Sequence, residues 1–522
     1  MQIPETIQRI VRAAREEARS KDTDPTEPKI SITTRAGQAT FIYERMRNAV
    51  EYKEEHLIRR NAIERILRRM ISSGHKNNIS ENLISELIHA RYLPNNTIPE
   101  RKIKELDIIF EKYFTLLGHA PIKDINDSSS LSFWLSGIAA TEIDEFLMPP
   151  YVMHASINAM YEYLQERVRI EDEINDRERL KQIYIATSRI LYKNDNDTIG
   201  YHLLLTYYPE WTRANHDLIR EIGEHLNEIH STITQDLNSP IKEKLAPLFR
   251  KYVGYFTILQ DAIAQDPGKA WSDMNTGHEF EQRVRAICQK QYEKSRASLH
   301  RGIKRSIIYL VITKFLLAVV LEIPVDYLLI HKIDYMPLAI NLIFPPALLA
   351  LIALSTKLPD EENTNQMISG INHIIQNQGE IIQMRKSSKR SFFLRAVFTL
   401  LYGMLFGISF GLMIYILIAL NFTFIGIFIF LLFLSFVSLF AYRIRQSNQE
   451  MIVLPPKQGF IRGLWAFFTI PILHAGKWMS TRFAQINIFI FALDFIIEAP
   501  FKAFIKVIEE WMNYVHEKKE EI

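Results

Sequence analysis

A single cysteine, Cys288, occurs in the 522 residues. No intramolecular disulfide can form, and thiolate-based zinc or iron–sulfur sites are excluded. A reducing compartment for the N-terminal part fits this composition. Net charge is nearly absent as well. The chain has 62 Lys+Arg against 59 Asp+Glu, a formal +3, which is too even for a general nucleic-acid or polyanion binder. There is no Gly-rich phosphate loop and no HExxH pair. The opening stretch, MQIPETIQRIVRAAREEARS, lacks the apolar core and small-residue cleavage site of a secretory signal peptide, so none is expected there. The longest absence is local. Residues 396–442, 47 in all, contain no Asp, Glu, Lys, Arg or His.

A helix needs about 20 apolar residues to cross the hydrocarbon core of a bilayer, so this run is long enough for two crossings and too long for one. Asn421 and Thr423 mark a turn near its middle. Lys389, Arg390 and Arg395 precede the run, and Arg443 and Arg445 follow it. The positive-inside bias places both ends in the cytoplasm and makes 394–442 a transmembrane hairpin. Residues 306–356 repeat the pattern: Arg301, Lys304 and Arg305 stand before them and Lys357 after. Crossings are expected at 306–326 and 335–355, joined through His331, Lys332 and Asp334. The expected protein is therefore integral and multi-pass, with both termini cytoplasmic, and the plasma (inner) membrane is its expected location. A mean hydropathy of −0.04 conceals this split between a charged first part and an apolar second part.

Ahead of the apolar half, residues 1–38 read as a short amphipathic helix and a linker, and 39–305 as a cytoplasmic all-α domain. Ile3, Ile7, Ile10 and Val11 form one side of the first helix. Leu57, Ile58, Ile66, Leu67, Met70 and Ile71 line a second, up to Gly74. A third starts near Ser80, which takes the N-cap position, and Pro99 opens a fourth with Ile103, Leu106, Ile109, Phe110 and Phe114 on its buried side. Further helices are expected at 131–148, 151–192, 210–236, 240–264 and 279–305. Arg59, Arg60, Arg65, Arg68 and Arg69 suggest headgroup or nucleic-acid contact, but Glu51, Glu54, Glu55 and Glu64 among them favour a salt-bridged solvent face. His216, His225 and His230 are spaced by nine and five residues and do not share a helical face, so they are not read as metal ligands. Glu86 and His89 form one ExxH pair where a di-iron bundle needs two.

Between the hairpins, 357–393 reads as a cytoplasmic amphipathic connector, with Ile368, Ile371, Ile374, Ile375, Ile381 and Ile382 at helical spacing. The tail, 443–522, reads as interfacial helices. Arg462 and Lys477 bracket a stretch too short for a crossing and interrupted by Pro471. In 485–512, Asn487, Asp494, Glu498, Lys502, Lys506 and Glu509 form one polar stripe along a helix, which suits a surface element better than a span.

The fold class expected is all-α: a soluble helical domain followed by two transmembrane hairpins and cytoplasmic-side amphipathic helices. Two hairpins open to the cytoplasm and followed by amphipathic helices resemble the layout of reticulon-like membrane-shaping proteins. The resemblance is one of arrangement and covers roughly the last 200 residues. Glu322, Asp326, Asp494 and Glu498 are acids in apolar surroundings and hence candidates for an ion pathway, with Pro324 able to unwind the helix between the first two. Lys314 would snorkel or pair with a neighbouring helix. Arg301, Lys304, Arg305, Arg385, Lys386, Lys389, Arg390, Arg395, Arg443 and Arg445 are candidate contacts to acidic lipid headgroups.

No residue stands out as catalytic, cofactor-binding or metal-ligating. The leading expectation is a membrane-anchored scaffold or assembly factor whose 39–305 domain binds a protein partner; homo-oligomers are compatible with it. An ion channel or secondary transporter and a membrane-shaping protein are the alternatives. An enzyme has least support, because no acid–base or nucleophile arrangement can be assembled.

Overall fold

A computed structural model describes residues 3–20, 27–32, 44, 54–72, 78–119, 125–171, 174–331, 335–354, 359–384, 392–449, 453 and 470–478. The fold is all-α, and among the described residues it is relieved only by two three-residue strands. The first helices are α1 (Glu5–Ser20), α2 (Glu55–Ser72), α3 (Ile79–His89), α4 (Arg101–His119), α5 (Ile125–Leu147) and α6 (Tyr151–Gln165). After β1 (Val168–Ile170) come α7 (Asp176–Leu191), α8 (Asn196–Tyr207), α9 (His216–Glu224), α10 (Leu226–Asn238), α11 (Ile241–Gln265), α12 (Ala270–Thr276) and α13 (His278–Leu317). A π turn at Ala318–Glu322 leads into α14 (Ile323–Ile330), α15 (Tyr335–Leu354), α16 (Glu361–Ile375), β2 (Ile382–Met384), α17 (Phe392–Ala419) and α18 (Phe424–Gln449).

The helical body has two cores. One joins α2 to α5 with α8, α9 and α10. The other joins α1, α6, α7, α11, the start of α13 and α16. Periodicity explains much of this. Ile3, Ile7, Ile10 and Val11 are all buried, so the first helix is a wall of the second core and not a detached element. Arg9 bonds Glu162 at 2.7 Å, and Arg15 donates to the carbonyl of Pro267 at 2.9 Å.

Several expectations fail for local reasons. The run 151–192 is two helices, because the chain becomes extended at β1 and restarts where Asn175 accepts from the Arg177 amide at 3.2 Å. The run 210–236 breaks at His225, and a helix at 196–207 begins where Asp195 accepts from Thr198 N at 3.0 Å. Ser80 is not a cap. It lies inside α3 and donates to Asp107 at 2.5 Å, while Asn78, with φ 54°, occupies the N-cap. Phe114 faces outward from α4, and Tyr113 and Leu116 are buried instead. The arginine-rich face of α2 is salt-bridged, as its glutamates suggest, but it is solvent-facing only in part: Arg60 is buried, Arg59 and Arg68 are partly buried and Arg69 is exposed. Arg59 pairs with Asp144, Arg60 with Glu64, Asp195 and Asp197, Arg68 with Glu64, and Arg69 with Glu86. These ion pairs tie α2 to α3, α5 and the start of α8.

At 40 residues, α13 is about 60 Å long. It starts in the body, where Phe280, Val284, Ile287 and Cys288 are buried, and continues without a break at 305 into the apolar helices, where Leu310 packs with Leu349, Ile429 and Val437. Pro324 does not unwind it. A proline has no N–H for the carbonyl four residues back and its ring crowds that carbonyl, so the helix widens into the π turn just before it. The helix ends at His331, with φ 54°. The second apolar pair turns at Asn421, as its composition led one to expect, with φ 58° and Phe422 N donating to Leu417 O at 3.0 Å. Among the described residues one helix, Ala396–Ala419, is long and apolar enough to cross a membrane, against four expected; Tyr335–Leu351 and Phe424–Ser438 are shorter apolar helices.

The connector packs on the body. Asp360 caps α16 by accepting from the Asn363 amide at 3.0 Å, and Met367, Ile371, Ile374 and Ile375 are buried against α11 and α13. The helix stops at Ile375, so the expected continuation through Ile381 and Ile382 is wrong: Ile381 is exposed and Ile382 begins a strand. That strand pairs in parallel with β1, Val168 opposite Ile382 and Ile170 opposite Met384. Arg167 fixes the return, donating to the Asn377 carbonyl at 2.7 Å and lying 3.8 Å over the Tyr163 ring. Replacing Asp360 with Ala removes one helix cap and should cost about 1 kcal/mol, read as a lower melting temperature of the purified protein.

Candidate functional site

Two clusters of polar side chains converge where sequence neighbours do not explain them. The first lies among the apolar helices. Lys314 on α13, Glu322 in the π turn and Asn341 on α15 are 1 %, 4 % and 1 % exposed. Lys314 Nζ donates to Asn341 Oδ1 at 2.6 Å and stands 3.3 Å from Glu322 Oε1, which also accepts from Asn341 Nδ2. The ammonium lies 4.6 Å from the ring centre of Phe433 on α18. Opposite charges thus cancel inside a group of helices whose outer faces carry Leu316, Val320, Leu328, Phe393 and Tyr415, all more than half exposed.

Of the candidate acids, only Glu322 is shown in such a cluster. Asp326 follows one turn later on α14, its side chain outside the described residues, and Asp494 and Glu498 lie outside them altogether. Arg301, Lys304 and Arg305 are exposed on the part of α13 between the body and the apolar helices. Arg395 begins α17, and Arg443 and Arg445 end α18, again without described side chains; Arg385, Lys386, Lys389 and Arg390 are outside the described residues. Of the tail, 470–478 is helical and sends Ile472 into a cluster with Leu417, Phe422, Phe430 and Leu434, while Tyr402 bonds His474. The stripe at 485–512 lies outside the described residues.

The second cluster is in the body. Glu145 ends α5, Pro149 and Pro150 turn the chain, and His154 sits in the first turn of α6. His202 approaches from α8. His154 Nε2 is 3.1 Å and His202 Nε2 is 2.7 Å from the same oxygen, Glu145 Oε1. The two rings meet edge to face with centres 5.0 Å apart. Burial works to push the Glu145 carboxyl up, but the His202 charge and the bonds from both imidazoles outweigh it and hold the group at about 2. Burial pushes the nearby Tyr184 and Tyr201 phenols up, with the Glu145 charge adding to it at Tyr184 and the Glu142 and Glu145 charges at Tyr201. His202 Nδ1 is buried without a hydrogen-bond partner.

No family model, curated protein or solved structure matches this chain. Function has to be argued from these two clusters and from how the helices are joined. The sequence marks Glu322 and Lys314 singly, but neither cluster as a whole. Asn341 is the one amide in an apolar run, a weak signal that could have been used. Glu145, His154 and His202 are spaced by nine and 48 residues on three helices, and no local pattern reports that. The histidines that did draw attention are not gathered: His230 packs against Trp134, its ring centre 4.8 Å away, and burial lowers its pKa.

Proposed function

We propose that the chain is a multi-pass membrane protein whose helical body, on the cytoplasmic side, serves as a scaffold or assembly platform for a protein partner. The observation that carries the membrane reading is inverted polarity. Around Lys314, Glu322 and Asn341 the charged and amide groups are inside, while leucine, valine and aromatic side chains face out. Water would reverse that order, and a bilayer favours it.

How the helices are joined supports paired crossings. The chain leaves the body along α13 and is back on it at α16 and β2. After α18 it returns again, Val453 N donating to Asn363 Oδ1 at 2.9 Å. Segments that begin and end on one rigid body cross an even number of times. With the basic flanks this makes two cytoplasm-facing hairpins the reading to test, and the plasma (inner) membrane with its acidic headgroups the setting. What supports the scaffold role is a large helical body built on two hydrophobic cores. A transporter reading is favoured by Glu322 and its π turn, but the pair with Lys314 is already satisfied. The membrane-shaping alternative rests on 485–512.

Single cysteines at Asp334 and Asn421 should react with an impermeant reagent only from the outside. Cys288 adds little background, because it is buried and burial pushes its thiol up to about 11. Labelling of Asn421→Cys from the cytoplasmic side would sink the topology. For the role itself, full-length protein in ion-tight liposomes should stay tight. It should also retain one stoichiometric protein partner when captured from native membranes, relative to an unrelated membrane protein. Ion flux abolished by Glu322→Gln would replace the scaffold with a transporter.

A further inference from the structure

We infer that Glu145, His154 and His202 form a binding site for one divalent transition-metal ion of the zinc class. Among the described residues this is the one His, Cys, Asp and Glu group whose ligand atoms converge, all within 4.8 Å of one another. At metal–ligand distances of about 2.0–2.1 Å, ligands of a tetrahedral ion stand about 3.3 Å apart. The two imidazole-to-carboxylate separations, 3.1 and 2.7 Å, already lie near that edge, and both nitrogens address one oxygen. The remaining nitrogen-to-nitrogen edge needs at most a further approach of about 1.5 Å, which rotation of the half-exposed His154 ring can supply. Two imidazoles and one carboxylate suit zinc, cobalt or copper over calcium or magnesium, which prefer all-oxygen shells.

The scaffold is stiff on two sides and open on the third. Glu145 and His202 are 15 % and 7 % exposed at the side chain, whereas His154 is 37 % exposed. The fourth coordination position therefore opens past His154 toward solvent, where a water or a partner's side chain completes it. One feature limits affinity. A metal on Nε2 leaves the ring proton of His202 on Nδ1, which has no acceptor. Loss of such an outer hydrogen bond typically weakens metal binding 10–100-fold, so a Kd of order ~1 µM is expected in place of the tighter values of structural zinc sites.

The test uses tag-free, full-length protein in detergent, freed of metal with a chelator and titrated with zinc and then cobalt. One ion per chain should bind, and the cobalt form should show visible ligand-field bands without a thiolate charge-transfer band. His154→Ala and Glu145→Gln should each weaken binding at least ~30-fold, while His225→Ala leaves it unchanged. Because His202 is buried, His202→Ala counts only if its circular dichroism and melting match the parent. His154→Ala, at the exposed edge, is the decisive variant. Absence of a stoichiometric site below ~100 µM, or binding that survives both His154→Ala and Glu145→Gln, overturns the assignment.

Discussion

Glu322→Leu should destabilise the apolar helices by about 3–5 kcal/mol, more than almost any other single substitution there. It strands Lys314, which is 1 % exposed, with only Asn341 Oδ1 and the Phe433 ring for company. Breaking a buried pair by removing one partner costs far more than the pair contributes, because the surviving charge keeps its desolvation penalty. The ammonium can escape by losing its proton, and doing so at pH 7 from the usual lysine value costs about 4–5 kcal/mol, which caps the loss. The companion result is more telling. Lys314→Met combined with Glu322→Leu removes both charges, keeps the volume and should recover most of the stability. Thermal or detergent unfolding of the three variants, followed by circular dichroism, gives the ranking. A double variant as unstable as the single one would mean that the pair does more than neutralise itself, and the transport reading would gain.

That pair shows how far residue order alone could be read. Glu322 stands out as an acid in an apolar run, and Lys314 as a base in the same helix. What joins them is a distance of two helical turns, a π turn induced by Pro324 and an amide from another helix, and none of these is a local pattern. The helical class, α1, the first half of α16 and the turn at Asn421 were legible because each depends on spacing within a dozen residues. The helix interruption at β1 was not, since a parallel strand partner 214 positions away (Val168 to Ile382) leaves no mark on either segment. The arginines of α2 were legible in part. Glu64 pairs with Arg60 and Arg68 as helical spacing suggests, whereas Asp195 and Asp197, which hold the buried Arg60, come from another helix and leave no local mark. The Glu145, His154 and His202 group is the extreme case, three helices meeting at one oxygen.

Gly370→Val should cost about 2–3 kcal/mol and loosen the connector on which the proposal of paired crossings rests. Glycine inside a helix ordinarily costs about 1 kcal/mol relative to alanine, so its presence in α16 calls for a spatial reason. The reason is Tyr255 of α11. A Cβ on Gly370 would sit 2.2 Å from the ring carbon that bears the hydroxyl and 2.3 Å from its neighbour. Tyr255 is itself buried among Tyr252, Met367 and Ile371, so the ring has little room to swing. Overpacking of this kind typically costs 1–3 kcal/mol. Lifting α16 off the body would cost more, because Met367, Ile371, Ile374 and Ile375 are each worth about 1.5–3 kcal/mol when buried. The helix should therefore stay docked but strained, with the strain expressed as easier local opening. Hydrogen exchange across 361–384 should accelerate in the full-length variant while α2 to α5 keep their protection. Tyr255→Ala makes room for the added methyls, so the double variant should be less damaged than the sum of the two by about 0.5–3 kcal/mol. Unchanged exchange in Gly370→Val would mean that the Tyr255 ring yields freely and that the glycine is not what sets the close approach of α16 to α11.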